Sequence, residues 1–234
     1  MTDSLSARLD AVISSIPAQY PGPGGAIAVL RDGEVLVRHT WGYANAERRI
    51  PFTPASLFRM CSITKQFTCA MMLENFADPN VLDGDVDALL PQLDEPAPGI
   101  LHLAHNQSGL RDYWAVAMLH GAPVEGYFGD REAARVIAGT RTLQFQPGTS
   151  YSYVNQNFRL ISDIVQERKG RSFGELLQSS IFDPVGMERA ILAAETRTKP
   201  DGTVGHEGTV ESGFRPAQTN IRRTGDAGLG EYGR

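Results

Sequence analysis

Between Ser62 and Asp78 the chain contains neither glycine nor proline, and Phe67, Ala70, Met71, Glu74 and Phe76 follow one another in a helical pattern. Pro51 to Cys61 reads as a loop, so the pattern predicts a helix that begins at Ser62 and stops before Pro79. That start fixes the surroundings of two reactive groups. Ser62 and Lys65, three residues apart, share one helix face within hydrogen-bonding reach. In the first turn the Ser62 N–H has no intrahelical acceptor. A free N–H at a helix N-terminus can form half of an oxyanion hole.

A serine hydroxyl is a poor nucleophile until a base stands within hydrogen-bonding reach. A lysine desolvated by burial can accept the proton, or hold a nearby phenolate in place. A bare Ser-x-x-Lys arises by chance roughly once in a chain of this length, so the reading needs a second element. The stretch Phe145-Gln146-Pro147-Gly148-Thr149-Ser150-Tyr151-Ser152-Tyr153-Val154-Asn155 supplies one. Pro147-Gly148 makes a turn, after which Tyr153 and Asn155 present a phenol and an amide from a loop that leads into a helix at Phe158. A tyrosine beside an ammonium is a candidate general base. Tyr43-Ala44-Asn45 repeats the Tyr-x-Asn spacing but reads as the end of a strand.

Around these motifs the pattern predicts a helix from Ser4 to Ile16, then a Pro/Gly-rich connection from Pro17 to Gly25. Ala26–Leu30 and Val35–Tyr43 flank Asp32-Gly33 and read as a hairpin. Helices are expected at Leu82–Leu93, Arg131–Ala138, Phe158–Lys169 (stopped by Gly170) and Ser172–Phe182, with a short hairpin in Val204–Phe214. Asp83, Asp85 and Asp87 read as a solvated helix start. His102 and His105 read as turn structure and not as a metal pair, since no Glu or Cys/His cluster completes a site. Trp41, Trp114 and the clustered tyrosines read as core residues before stacking platforms, with the lining of a substrate cleft as the alternative for Tyr113 and Trp114, which follow a loop between helices.

The 234 residues are 41% hydrophobic and 21% charged with a net charge of −5, ordinary values for a soluble globular protein. Lys and Arg are scattered, which argues against nucleic acid or an anionic membrane as a partner, and no apolar run is long enough to span a bilayer. Met1 to Ile16 lacks a basic start followed by an apolar core, so a cytoplasmic location is expected. On one helix, Cys61 and Cys69 would lie roughly 12 Å apart, too far for a disulfide. They are expected as reduced, buried thiols.

The pair Ser62/Lys65, followed about ninety residues later by Pro147-Gly148-Thr149-Ser150-Tyr151-Ser152-Tyr153-Val154-Asn155, resembles the penicillin-recognising serine hydrolases. Cys61–Ala70, Asn106–Trp114, Tyr151–Asn155, Gly22–Gly25 and Ile181–Met187 closely resemble the D-aminopeptidase branch of that family, from about residue 8 to Leu229. The resemblance implies an α+β, β-lactamase/transpeptidase-like fold, an antiparallel sheet with flanking helices plus a helical subdomain. Residues 1–75 would hold the first helix, the hairpin and the nucleophile helix. Residues 76–190 would form a mainly helical subdomain with the Tyr-x-Asn loop, and 191–234 an irregular return toward the sheet. It further implies Ser62 as nucleophile, Lys65 and Tyr153 as proton-handling partners and Asn155 as a substrate ligand. No cofactor or metal is implied. The substrate would be a small D-amino-acid amide or peptide, and a homodimer is compatible. Related esterase, β-lactamase and D,D-carboxypeptidase activities, or a non-catalytic remnant, are the alternatives.

One departure shapes the expectation. The family carries a late His-x-Gly or Lys-Thr-Gly strand, and none follows Gly225-Asp226-Ala227-Gly228-Leu229 here. His206-Glu207-Gly208 has the letters but precedes that landmark. The sequence therefore predicts a C-terminally truncated domain that lacks most of the later sheet strands and one oxyanion donor. Its activity is expected to be weak or absent.

Overall fold

The Asp32-Gly33 pair turns the chain as its residue types require. Both residues have positive φ, 51° and 81°, the two-residue hairpin geometry whose twist matches that of the flanking strands. In the computed structural model, which describes residues 5–57, 60–122, 130–192 and 202–217, these strands are β1 (Gly24–Arg31) and β2 (Glu34–Asn45). They pair antiparallel from Gly24 opposite Gly42 to Arg31 opposite Glu34, with a register shift at Val29/Leu30. A short β3 (Ile50–Pro51) pairs with the end of β2. The first helix, α1, runs from Leu5 to Gln19, past the expected stop at Pro17. Pro17 removes one donor, but Tyr20 N–H still reaches Ile16 O at 2.9 Å and closes the last turn.

The described residues divide into two compact units. One holds 5–57 and 202–217, the other 60–192. In the first, β4 (His206–Thr209) and β5 (Gly213–Pro216) form the expected late hairpin. It is fastened to the end of β2. Val204 N–H donates to Ala44 O at 3.1 Å, the Asn45 amide to Gly202 O at 3.1 Å, and Ala46 N–H to His206 Nε2 at 3.0 Å. Asn45, from the second Tyr-x-Asn, is thus a buried strand-end residue, as its sequence context predicts.

The second unit is helical. A 3₁₀ turn (Cys61–Ile63) leads into α2 (Thr64–Asn75), and another (Pro79–Leu82) into α3 (Asp83–Leu89). Then come α4 (Ile100–Ala104), α5 (Tyr113–Leu119), α6 (Asp130–Ala138), α7 (Asn155–Lys169) and α8 (Phe173–Leu177), the last continuing in a π turn to Phe182. α7 is the central post, with α2, α3, α4, α5 and α8 all packed on it. Met71, Met72, Leu103, Leu110, Ile161 and Phe173 fill the core around it, each essentially inaccessible to solvent. Burying one such side chain contributes about 1.5–3 kcal/mol.

Several expectations are corrected here. α7 begins at Asn155, three residues before the sequence pattern suggests, because residues from another loop cap it. Tyr113 takes the favoured core reading and not the cleft alternative. It opens α5, whose N-cap Asp112 accepts from Trp114 and Ala115 N–H, and its side chain is fully buried in the core. Cys61 is exposed and Cys69 half-buried, so the pair is not two buried thiols. His102 has the structural role expected of it, its Nδ1 accepting from Gly99 N–H at the start of α4. The Gly225–Leu229 landmark and the residues after it lie outside the described residues.

Candidate active site

Ser62 sits in the middle of the 3₁₀ turn, and the chain changes to an α-helix two residues later, at Thr64, whereas the sequence pattern begins the helix at Ser62. The turn is entered through Cys61 in a left-handed conformation, φ 49°. Ile63 N–H bonds Met60 O at 3.2 Å, whereas the Ser62 N–H has no acceptor among the described residues. Ser62 is exposed, and Lys65, one turn on, is buried. The Lys65 ammonium reaches back to Ser62 Oγ at 3.0 Å, as their shared helix face predicts.

Tyr153 arrives from 91 positions away and donates its hydroxyl to the same Oγ at 2.6 Å. Its ring lies 5.0 Å from Lys65 Nζ, and the Phe158 ring 5.4 Å from it. The buried ammonium is therefore surrounded by one hydroxyl oxygen and two aromatic faces. Among the described residues no carboxylate pairs with it. A cation so placed lies against the face of the Tyr153 ring. A bond between two hydroxyls can run in either sense, so the Ser62 proton can also be directed at Tyr153.

Asn155 is the first residue of α7 and lies on the helix, not on the loop before it. Its main-chain N–H donates to Asp112 Oδ2 at 2.6 Å, while its carboxamide makes no hydrogen bond among the described residues. That leaves the amide available to a ligand. The four sequence-selected residues thus all fall in one unit, and three of them meet at Ser62 Oγ. His206 falls in the other unit, where its ring serves the β4–β5 hairpin.

Two residues that hold this arrangement carry no catalytic signal in the sequence. Asp112 caps α5 with one carboxylate oxygen and the start of α7 with the other. Asn106 bonds the main chain on both sides of Tyr153. Gly109 makes the approach of the two loops feasible. Its φ is +76°, and a Cβ there would stand 2.2 Å from Phe145 O.

An exposed serine that faces a buried lysine and a tyrosine, at a helix start with an open N–H, defines a serine-hydrolase type of centre. The chain belongs to the beta-lactamase family, which it matches over residues 9–229. It is 80% identical over 230 residues to a D-aminopeptidase of Gluconobacter oxydans (strain 621H), an overlap of 98% of this chain and 44% of that protein. A D-aminopeptidase of Brucella anthropi is 41% identical over 224 residues, 96% of this chain and 43% of its own length. The chain thus spans less than half the length of these curated relatives. Among solved structures, the octameric penicillin-binding protein homologue from Pyrococcus abyssi superposes with a TM-score of 0.70 at 23% identity, covering 96% of this chain and 55% of that one. The penicillin binding protein from Bacillus halodurans gives 0.69 at 19%, covering 92% and 64%. At these identities the structures establish the shared β-lactamase/penicillin-binding-protein-like fold. Among the described residues no helix is long and apolar enough to cross a membrane.

Proposed function

We propose that this chain carries the nucleophile half of a D-stereospecific serine aminopeptidase. The observation that carries the reading is the convergence of Lys65 Nζ and the Tyr153 hydroxyl on Ser62 Oγ, at 3.0 and 2.6 Å. In the reaction Ser62 Oγ attacks the carbonyl carbon of the N-terminal D-residue. Its proton passes to ionised Tyr153, whose charge Lys65 stabilises. The Ser62 N–H donates to the developing oxyanion. Tyr153 then returns the proton to the departing amine as the C–N bond breaks, leaving a D-aminoacyl ester on Ser62. Water attacks that ester, Tyr153 takes the water's proton and gives it to Ser62 Oγ, and the free D-amino acid leaves. Asn155 holds the substrate through its free carboxamide.

The substrate class follows from the resemblance to the D-aminopeptidases: small amides and peptides with an N-terminal D-residue such as D-alanine. Two cysteines outside any disulfide are in keeping with a reducing compartment, the cytoplasm, and a homodimer is the assembly to look for by light scattering.

The test is acylation followed by intact mass. A fluorophosphonate is expected to add one adduct to the 234-residue chain and none to Ser62→Ala. D-alanine anilide is expected to be hydrolysed in preference to its L-enantiomer, a nitrophenyl ester or nitrocefin. A folded chain with no Ser62-dependent adduct would make it a non-catalytic member of the family, and a preference for nitrocefin or the ester would move the substrate class.

A further inference from the structure

We infer that Asn106 is a positioning residue for Tyr153, acting through the main chain on both sides of it. The inference rests on the reading of Tyr153 as the proton carrier. Tyr153 is 45% exposed, so packing does not fix its ring. Among the described residues the directional interactions of its ring are the hydroxyl bond to Ser62 and the Lys65 cation against its face. Its aim must therefore come from the backbone. Ser152 N–H donates to Asn106 O at 2.9 Å, and Val154 N–H donates to Asn106 Oδ1 at 3.0 Å. A single residue thus grips the peptide groups before and after Tyr153.

Asn106 is itself over-determined. It is buried, its N–H donates to Leu103 O at 3.1 Å, and its φ of 56° turns its carbonyl toward the Tyr153 loop. Asparagine tolerates that left-handed conformation better than most residues. Its Oδ1 accepts a second bond, from the Asn157 amide at 3.3 Å. Asn157 Oδ1 in turn accepts from Ser108 Oγ at 2.9 Å, and Leu110 N–H bonds that hydroxyl at 3.2 Å. The network is buried, so each bond works in a low-dielectric setting where a lost partner is costly. It ties the Asn106–Leu110 turn to the N-terminus of α7, and Tyr153 hangs from the tie.

Two substitutions separate the backbone conformation from the hydrogen bond. Asn106→Gly keeps the left-handed φ and removes the side-chain acceptor. Asn106→Asp keeps the acceptor. The first readout is the rate of Ser62 acylation by a fluorophosphonate. Asn106→Gly is expected to slow it on the order of tenfold to a hundredfold, the range for a misplaced proton carrier. Asn106→Asp is expected to stay near wild type. In the Tyr153→Phe background Asn106→Gly is expected to add nothing, because the two residues act as one.

The second readout needs no activity. In protein labelled with 3-fluorotyrosine, the ¹⁹F resonance of Tyr153, identified by its loss in Tyr153→Phe, is expected to move toward that of free fluorotyrosine in Asn106→Gly and to stay in place in Asn106→Asp. An unmoved resonance in Asn106→Gly overturns the inference. So do effects of Asn106→Gly and Tyr153→Phe that multiply, or an Asn106→Asp variant as slow as Asn106→Gly. Loss of the folded state in Asn106→Gly counts against it too, since the role is then structural. A wild-type chain that is never acylated at Ser62 refutes the proposed function, and the fluorine resonance alone then decides the role of Asn106.

Discussion

Ser62 Oγ receives two donors of opposite character, a buried ammonium and an exposed phenol. Removing either leaves the hydroxyl without half of its proton traffic. Tyr153→Phe and Lys65→Ala are each expected to slow acylation by about 10²–10⁴, the usual contribution of a positioned proton-transfer group. Stopped-flow labelling would measure it. The spacing of Ser62 and Lys65 made their contact legible in the sequence, because three residues on a helix admit few other outcomes. The environments of the two thiols were not legible. Cys61 is exposed at the mouth of the helix, while burial pushes the Cys69 thiol up to about 11 from 9.0. Iodoacetamide at neutral pH is expected to label Cys61 first, and Cys69 only in urea, as read by peptide mass. The neutral Cys69 thiol is favoured in the fold, so its contribution to stability is complete below pH 9.0 and is lost as pH rises toward 11.

α7 begins at Asn155 only because Asp112 reaches across from the start of α5 to cap it. Its own N-cap, Val154, offers no side-chain oxygen. Asp112→Ala removes caps from two helices, each worth about 0.5–2 kcal/mol. A lower urea midpoint with an unchanged slope is expected. The β4–β5 hairpin has a different fastening. Ala46 N–H donates to His206 Nε2, which can accept only when the ring is neutral, and burial holds the imidazole below its usual 6.5. The charged ring is disfavoured in the fold, so this contribution is present above pH 6.5 and fades as the pH falls below it. The protection factor of the Ala46 amide, its exchange rate relative to the intrinsic rate at each pH, is expected to fall on acidification, and to lose that fall in His206→Gln. The hairpin itself could be read from alternation and glycine, but not its fastening, because residues 46 and 206 meet only in the folded chain.

At the scale of the whole chain, one of the two units contains the hydroxyl, the amine, the phenol and the core that supports them. Ile161 lies in that core on α7, six positions after Asn155, and is wholly buried. Ile161→Ala is expected to destabilise the unit by about 2–5 kcal/mol while leaving the acylation rate at low temperature unchanged. Thermal denaturation and labelling on the same sample would check both. Tyr113 belongs to that core as well, the reading its sequence favoured over the cleft. Its burial depends on the Asp112 cap turning α5 inward, which a periodicity count over so short a helix cannot show.

The sequence by itself determined the local facts. These are the contact of Ser62 with Lys65 one turn on, the Asp32-Gly33 turn, the long α7 and the family to which the motifs belong. Each depends on residues a few positions apart, whose geometry is set by backbone sterics and helical period. Tertiary structure decided the rest. It brought Tyr153 across 91 positions to Ser62 Oγ, started α7 early and put Asn106 on both sides of the phenol. Those placements depend on hydrogen bonds between loops distant in sequence, and no local pattern encodes which distant carbonyl or carboxylate will be there to accept.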